Sequence, residues 1–433
     1  MKIVISTDIY YPMINGVAVF SRNLAAGLTK RGHDVLVLAP SITGDFETER
    51  DEEYGFKVVR LSSRKMMLYP DQINKVPEKK DFLGVKVPQL LYKNGLHVSY
   101  MPDLEIKRVL EDFHPDIIHN QTPGPVALAI LRYARLHKVA LVSTDHAYPD
   151  NLTQQVKLPK LAKKPINAAM NAYFVSFLRH SDYATVPTEQ VLTDCIPKNK
   201  LFFRVPIEAL SNGIDLSRFA KGRVNKEIYE RYDINPKKPT VLYIGRVDPE
   251  KSLDVLMNAF IEVQKSIPNS QLVIVGDGTM RPKLERMAED AGIRKNVIFT
   301  GRVIGGDLPQ LYRTGDVFAI TSKTETQSIV LLEAMATGLP AVAVKAGAIP
   351  ELVHNGENGY LCEADNVDEV AKSLICILQD EELRVSMSEK SQELIKKHDI
   401  AYTLTRIEEI YNKVLDKKES RANDFDDEIF NED

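Results

Sequence analysis

The chain of 433 residues contains only three cysteines and no long hydrophobic run. Cys195, Cys362 and Cys376 are widely spaced and fit no disulfide or metal-ligand pattern, so we expect reduced thiols in a cytoplasmic protein. No apolar run approaches the roughly 20 residues that span a bilayer. The first residues, MKIVISTDIYYP, enter a strand pattern and lack the apolar region and cleavage site of a signal peptide. We therefore expect a protein that is neither secreted nor membrane-spanning.

The composition is that of a soluble globular enzyme, with 44% hydrophobic and 27% charged residues. A chain of this length favours two domains of about 200 residues over one core. The net charge of −4 conceals an asymmetry: residues 1–200 carry 26 Lys and Arg against 21 Asp and Glu, whereas the rest carry 30 against 39. A basic half and an acidic half indicate different partners for the two domains.

Short β-branched runs alternate with amphipathic stretches along the whole chain, as in KIVIS, DVLVLAP, DIIHN and ALVSTDH. The pattern restarts after residues 210–219 with TVLYIG and QLVIVGDG. Repeated strand–helix–strand order predicts an α/β fold whose parallel sheets carry helices on both faces, with ligands at the carboxyl ends of the strands. We predict one domain over 1–208 and a second over 209–399. A helix over 400–416 would pack back on the first domain, and the acidic tail, 417–433, would be disordered.

The stretch YIGRVDPEKSLDVL indicates a phosphate site. Gly245, Arg246 and Lys251 lie on a predicted strand-to-helix turn, where a glycine allows close backbone approach and a helix N-terminus favours an anion. Two cations there suit a diphosphate, although solvated surface cations are the alternative. A second glycine turn, Gly276 and Gly278, lacks the complete G-x-G-x-x-G fingerprint, which disfavours dinucleotide redox chemistry.

Two glutamates, Glu325 and Glu333, lie eight positions apart in TETQSIVLLEAMATGLPAVAV. Glu333 stands among apolar residues, where a carboxylate is costly unless something hydrogen-bonds to it. Either the helix exposes the Glu333 carboxylate to water, or a ligand hydroxyl hydrogen-bonds to it. A helix starting near Ser328 would offer amides to phosphate oxygens, and eight helical residues rise about 12 Å, comparable to the distance from a sugar across a diphosphate to a ribose.

These features together resemble the retaining, nucleotide-sugar-dependent glycosyltransferases of family 4. G-R-x3-E-K at 245–251 and E-x7-E at 325–333 carry the resemblance, with LSNGIDLSRF, GDG, FTGRV and GAIPELV in the same order. The resemblance covers about residues 1–416. It implies the GT-B fold, in which two facing Rossmann-like domains form a cleft and close around donor and acceptor.

By this resemblance, Arg246 and Lys251 neutralise the donor diphosphate, Glu325 holds the donor sugar and Glu333 binds the ribose. The implied catalytic residues are Glu325, His146, Arg246 and Lys251. The implied donor-binding residues are Gly16, Gly245, Arg246, Lys251, Gly276, Gly278, Arg302, Glu325, Ser328, Ile329 and Glu333. Ser328 departs from the family, since many relatives have glycine there. We expect no metal and no cofactor besides the nucleotide-sugar substrate, because cations and a helix terminus replace the metal; the one D-x-D, Asp424 to Asp426, lies in the tail.

The resemblance implies that the first domain binds the acceptor and that the second binds the nucleotide-sugar donor. STDHAYPD matches the family's T-x-H-T segment at Thr144 and His146, with Ala147 in place of threonine. The resemblance puts His146 near the reacting carbon; a structural histidine at a strand end is the alternative. His119, in IIHNQTP, would face the cleft by its position or simply end a strand.

A basic, apolar segment from Asn151 to Ser181 contains no Asp or Glu. Its cations mixed with large apolar residues suit an anionic lipid surface, as does RKMMLYP at 64–70. The predicted membrane or acceptor residues are Lys157, Lys160, Lys163, Lys164 and Phe174, with His119. A nucleic-acid patch or a solvated helix are alternatives; stacking positions for single-stranded nucleic acid are few, so we expect no nucleic-acid partner.

Within family 4, YYPMINGVA and SKTETQSIVLLEAMATG look most like bacterial diacylglycerol glucosyltransferases. This implies retaining transfer of glucose from UDP-glucose to diacylglycerol by a peripheral enzyme at the inner membrane face. One alternative changes the acceptor to phosphatidylinositol, a soluble sugar or a surface polysaccharide. Two others are a GT-B sugar-nucleotide epimerase and an inactive nucleotide-sugar sensor. The paired cations and glutamates fit transfer better.

Overall fold

A computed structural model of the chain describes residues 1–13, 15–65, 97–146, 160–195 and 203–430. The chain divides into two compact units. The described residues up to Gly213, together with those from Ala401 onward, form the first unit, and Ile214–Ile400 form the second. Each unit is built on one main sheet.

The first unit has an eight-stranded sheet in the order β10-β9-β8-β7-β1-β2-β4-β3. Every neighbouring pair in it is parallel except β3–β4. Its strands are β1 (Lys2–Ser6), β2 (Asp34–Pro40), β3 (Glu47–Arg50), β4 (Lys57–Leu61), β7 (Ile117–Asn120), β8 (Ala140–Thr144), β9 (Tyr183–Val186) and β10 (Ile207–Ala209). A separate ribbon pairs β5 (Arg64–Lys65) with β6 (His97–Val98).

Among the residues described between these strands are the helices α1 (Gly16–Lys30), α2 (Asp103–Phe113), α3 (Pro125–Leu136), α4 (Lys160–Leu178) and α5 (Glu189–Cys195). The side chain of Asn15 accepts from the Ala18 amide and so caps α1. Strands β1, β2 and β7 bury their side chains against α2 and α3. Since β1 lies between β7 and β2, the loops that follow β1 and β7 diverge at the carboxyl edge of the sheet, where ligands bind in such folds.

The second unit has a six-stranded parallel sheet in the order β13-β12-β11-β14-β15-β16. Its strands are β11 (Thr240–Ile244), β12 (Gln271–Val275), β13 (Val297–Gly301), β14 (Val317–Ile320), β15 (Ala341–Val344) and β16 (Gly359–Cys362). Its helices are α6 (Lys226–Arg231), α7 (Leu253–Ser266), α8 (Arg281–Asp290), α9 (Asp307–Tyr312), α10 (Ile329–Ala336), α11 (Val367–Gln379) and α12 (Glu381–Leu394).

Alternate side chains of β11 enter two different cores, one on each face of the second sheet. Val241 and Tyr243 pack with α7 and α11, whereas Leu242 and Ile244 pack with α10. This is the doubly wound arrangement that the strand–helix alternation predicted. The strand order reverses between β11 and β14, so the loops after these two strands flank the switch point of the sheet.

The last helix, α13 (Ile400–Phe430), packs within the first unit. The Arg406 guanidinium binds the Glu208 carboxylate at 2.8 Å, and Lys418 Nζ donates to the Val139 carbonyl at 2.7 Å. The helix continues well past residue 416, through a segment that the sequence predicted to be disordered. No glycine or proline interrupts it, so helix propensity outweighs the acidic composition there. Within the described part of the chain, no helix combines the length and apolar character needed to cross a membrane.

Candidate functional site

Two loops at the switch point of the second unit are tied together. Thr321, just after β14, donates its hydroxyl to the carbonyls of Lys251 and Ser252, both at 3.0 Å. Lys251 in turn binds Glu325, with 2.7 Å between Nζ and Oε1. The lysine and the glutamate are 74 positions apart in sequence. The predicted phosphate clamp and the predicted sugar-binding glutamate therefore meet in one ion pair.

Arg246 lies beside this pair, in the loop that follows β11. Its guanidinium binds Glu250 at 2.5 Å and Asp248 at 3.2 Å. Its carbonyl accepts a 2.6 Å hydrogen bond from the Tyr243 hydroxyl, which anchors the loop to the end of the strand. The two cations predicted at this turn are thus fixed in place by carboxylates of their own unit.

Two glycines of these loops are required by close packing of backbones, whereas a Cβ on Gly245 would meet the Tyr243 hydroxyl at 2.8 Å. Gly276 has φ +148°, and a Cβ there would lie 1.8 Å from the Gly245 carbonyl oxygen. A Cβ on Gly278 would lie 2.4 Å from the Val247 carbonyl oxygen. The sequence predicted close backbone approach to a ligand at Gly245. The structure shows a different use of Gly276 and Gly278, which allow the loops after β11 and β12 to contact each other.

Ser328 is the N-cap residue of α10 and is almost fully buried. Neither its hydroxyl nor that of Thr324 has a hydrogen-bond partner among the described residues. Two buried, unpartnered hydroxyls beside a helix N-terminus form a setting that suits the oxygens of an anion. Because α10 begins at Ile329, the part of the chain from Glu325 to Ser328 is not helical, and the 12 Å spacing expected for eight helical residues does not apply between Glu325 and Glu333.

Glu333 is 8% exposed, so the helix does not turn its carboxylate into water. The hydroxyl of Tyr312, at the end of α9, donates to Glu333 Oε2 at 2.6 Å. Burial raises the pKa of Glu333 to about 7, while the Tyr312 hydrogen bond and the charge of Arg218 act to lower it. The sequence offered no signal for Tyr312, because its pairing with Glu333 depends on how α9 packs against α10.

The backbone of Glu325 is held by the loop after β15, the GAIPELV motif. The Ala348 amide donates to the Glu325 carbonyl at 2.9 Å. Gly347 has φ +52°, and a Cβ there would lie 2.4 Å from the same carbonyl oxygen. This glycine therefore lets two loops meet and fixes the position of Glu325, a function that the sequence did not assign to it.

The predicted donor-binding residues fall into two groups. Gly16, the first residue of α1, belongs to the first unit, as does His146. Arg302 directly follows β13, and Ile329 is the first residue of α10; both are half-buried. The structure places the following residues in the second unit, in the loops after its strands or in α10: Gly245, Arg246, Lys251, Gly276, Gly278, Arg302, Glu325, Ser328, Ile329 and Glu333.

In the first unit, His146 lies just after β8 at the carboxyl edge of the sheet. Its Nε2 is 3.0 Å from Gln121 Oε1, and its ring lies against Phe20 with 5.0 Å between centroids. Burial lowers the pKa of His146 to about 3, so the ring is neutral at physiological pH. Gln121 and Phe20 are functional candidates that the sequence missed; both act on His146 from distant elements.

His119 is fully buried, which corrects its assignment as an acceptor residue. Its Nδ1 is 2.8 Å from the Tyr411 hydroxyl and its Nε2 is 2.7 Å from Thr144 Oγ1. Burial also lowers its pKa to about 3. With both nitrogens engaged inside the sheet, His119 is the structural strand-end histidine of the alternative interpretation.

The predicted membrane segment also needs a correction. Phe174 is only 4% exposed, because α4 turns its apolar side chains into the first unit, so it cannot contact a lipid surface. Lys164 is exposed. Lys157 lies outside the described residues, and of Lys160 and Lys163 only the backbone position at the start of α4 is described. Membrane contact by the lysines stays a prediction. Membrane contact by Phe174 is wrong, because its side chain is buried.

Comparison with known families agrees with the two-unit architecture. A family model described as Glycosyltransferase Family 4 matches residues 14–218, and one described as Glycosyl transferases group 1 matches residues 224–394. Together the two matches span both units and include every predicted site residue. The chain belongs to the family 4 glycosyltransferases.

Some curated relatives of this glycosyltransferase are named for a glycolipid product. The chain is 26% identical over 435 residues to the alpha-monoglucosyldiacylglycerol synthase of Acholeplasma laidlawii, covering 98% of this chain and 100% of that protein. It is 29% identical over 299 residues to a sulfoquinovosyl transferase of Arabidopsis thaliana, covering 68% of this chain. That match spans 56% of the length of the Arabidopsis protein.

Among solved structures, the sucrose-phosphate synthase of Thermosynechococcus elongatus superposes with a TM-score of 0.74 at 17% identity, over 96% of this chain and 100% of that chain. At this identity the likeness establishes the fold alone. The glycosyltransferase thus has the predicted GT-B fold, with a parallel sheet in each of two Rossmann-like domains.

Proposed function

We propose that this glycosyltransferase transfers glucose from UDP-glucose to the free hydroxyl of 1,2-diacylglycerol, with retention, to form an α-glucosyl glycolipid at the inner face of the membrane. The observation that supports the transferase chemistry is the Lys251–Glu325 ion pair, with Arg246 held by Glu250 in the same loop as Lys251. The acceptor is inferred from the full-length similarity to the Acholeplasma synthase.

The donor binds, in this proposal, with its diphosphate against Lys251, Arg246 and the N-terminus of α10. In the transition state the bond between the anomeric carbon and the β-phosphate oxygen breaks, and negative charge develops on UDP. Fixed cations and helix-end amides stabilise that charge without a metal ion. The hydroxyls of Ser328 and Thr324, buried and without partners, are suitable donors to phosphate oxygens.

The two glutamates bind the two sugars of the donor, on either side of the diphosphate. Glu325, held by Lys251, accepts from hydroxyls of the transferred glucose, and Glu333 accepts from the ribose hydroxyls through the carboxylate that Tyr312 orients. Ribose binding of this kind requires an ionised Glu333. Since the pKa of Glu333 is about 7, donor affinity is expected to fall as pH drops below neutrality.

On the acceptor side, His146 acts as a neutral hydrogen-bonding group of the first unit. Its Nε2 faces Gln121 and its pKa of about 3 keeps it uncharged. The acceptor hydroxyl forms the new bond to the anomeric carbon on the face that UDP leaves. Its proton passes to the departing diphosphate, so no protein carboxylate is needed as a covalent nucleophile.

The first experiment measures UDP release and lipid-extractable radioactivity from UDP-[14C]glucose, with and without vesicles that contain diacylglycerol and an anionic phospholipid. We expect vesicle-dependent turnover, unaffected by EDTA, and an α-linked glucolipid by NMR. Parallel reactions with UDP-galactose, UDP-N-acetylglucosamine and GDP-mannose test the choice of donor. Lipid-independent UDP release would move the acceptor to a soluble sugar or polysaccharide, and conversion of UDP-glucose into another UDP-sugar would favour an epimerase.

A further inference from the structure

Three apolar side chains protrude from the first unit where α2 begins. Tyr100 is 58%, Met101 90% and Leu104 82% exposed. Eight large hydrophobic side chains are exposed in the described part of the chain, and these three fall within five consecutive residues. We name this surface, formed by Tyr100, Met101 and Leu104, the α2 tip. Scattered exposed apolar residues need no explanation, but a cluster of protruding ones indicates a partner.

Exposed cations flank the α2 tip on two sides. Arg64 and Lys65 are exposed on β5, which pairs with the β6 strand two residues before Tyr100. Lys107 and Arg108 are exposed on α2, one helical turn after Leu104. An apolar tip with a cationic border has the pattern of a segment that inserts shallowly into an anionic bilayer.

Three of the four carboxylates of α2 have a partner, and the fourth, Asp112, is exposed near the end of the helix that lies away from the tip. Asp103 binds Arg132, with 2.7 Å between Oδ1 and Nε. Glu105 accepts from the Ser62 amide at 2.8 Å. Farther along α2, Glu111 lies 3.7 Å from the ammonium of Lys107. The two carboxylates nearest the α2 tip, Asp103 and Glu105, therefore repel an anionic surface less than two unpaired carboxylates would.

We propose that the α2 tip is the membrane-docking element of this protein and that its partner is an anionic phospholipid bilayer. The inference rests on the proposed function in one respect: a lipid acceptor requires the enzyme to reach the membrane. A bilayer fits better than a protein because three side chains standing out from the surface offer far less area than the roughly 800 Å² per partner of a stable protein interface. The α2 tip thus supplies the exposed apolar contact that buried Phe174 cannot.

The chain has no tryptophan, so a single introduced tryptophan reports one position alone. Tyr100→Trp places it on the α2 tip. Tyr402→Trp is the matched control, because Tyr402 is 60% exposed on α13 and receives the same substitution. With vesicles containing phosphatidylglycerol, we expect a blue shift and quenching by brominated acyl chains for Tyr100→Trp only.

Several outcomes of this measurement would overturn the proposal. These are an unchanged Tyr100→Trp spectrum while the protein floats with vesicles, no binding to any vesicle, or an equal shift with purely zwitterionic vesicles. A shift that depends on protein concentration and not on vesicles would assign the surface to a second copy of the chain. Each of these results would refute docking of the α2 tip on an anionic bilayer.

A second variant tests the energetic contribution of the tip. Met101→Gln combined with Leu104→Gln should lower partitioning onto anionic vesicles by about tenfold or more, since both apolar side chains lose their lipid contact. Val385→Gln, an exposed apolar residue of the second unit, is the control. Activity on short-chain diacylglycerol in detergent should stay within about twofold of the parent, because the tip is not part of the donor or acceptor site.

This design separates the two proposals. Insertion of the α2 tip without any glucolipid product would leave the surface in place and refute the diacylglycerol acceptor. Glucolipid formation without a response of Tyr100→Trp would keep the enzyme function and refute the tip as the docking element.

Discussion

Replacing Tyr312 with phenylalanine removes a single hydroxyl from the second unit and leaves Glu333 buried without its 2.6 Å donor. A hydrogen bond to a charged group contributes about 1.5–3 kcal/mol, whereas a neutral one contributes about 0.5–1.5 kcal/mol. The loss of unfolding free energy should therefore be larger at pH 8.5, where Glu333 is ionised, than at pH 5.5, where it is protonated. We expect a difference of about 1 kcal/mol or more between the two pH values.

Linkage gives the sign of the parent protein's own pH dependence. The pKa of Glu333 is raised from 4.5 to about 7 in the folded state, so the native protein binds more protons than the unfolded chain in this window. The free energy of unfolding should fall by about 3 kcal/mol as pH rises from 4.5 to 7. Tyr312→Phe removes a contact that lowers this pKa, so the fall should extend to higher pH.

Urea unfolding followed by circular dichroism at the two pH values measures both effects. Tyr411→Phe is the matched control, because Tyr411 is also a fully buried tyrosine but its partner is His119, which stays neutral across this range. Its cost should not depend on pH between 5.5 and 8.5. An equal cost of Tyr312→Phe at both pH values, or no cost, would refute the assignment of a charged, buried Glu333.

Three further predictions concern other parts of the molecule. Lys251→Ala should lower the turnover number by about 10²–10³ with the fold intact, because a fixed cation at the leaving group is lost; turnover at the parent's rate would remove the phosphate-clamp assignment. Gly276→Ala should abolish soluble expression, since its Cβ would lie 1.8 Å from a carbonyl oxygen, whereas Gly306→Ala, where nothing lies within 4 Å, should express normally. The lowered pKa of His119 predicts that the free energy of unfolding drops as pH falls from 6.5 toward 3, and His119→Gln should flatten that slope in urea titrations; an unchanged slope would contradict the burial argument.

The sequence alone determined the order and type of the elements that carry the site. The bounds of β1 and β2 agree with the predicted runs KIVIS and DVLVLAP, because continuous apolar patterns are local properties of a strand. The start of α10 beside Ser328 was also predicted, and with it the end of the helix that faces the phosphate site. Motif order was sufficient to identify the family.

Only the tertiary structure decided which side chains meet. The Lys251–Glu325 ion pair and the Tyr312–Glu333 hydrogen bond join separate elements, and no local pattern encodes their partners. Burial of His119 and Phe174 likewise depends on the packing of α13 and α4 within the first unit, which periodicity cannot reveal. A one-dimensional pattern specifies what each residue can do; the distance to its partners decides what it does.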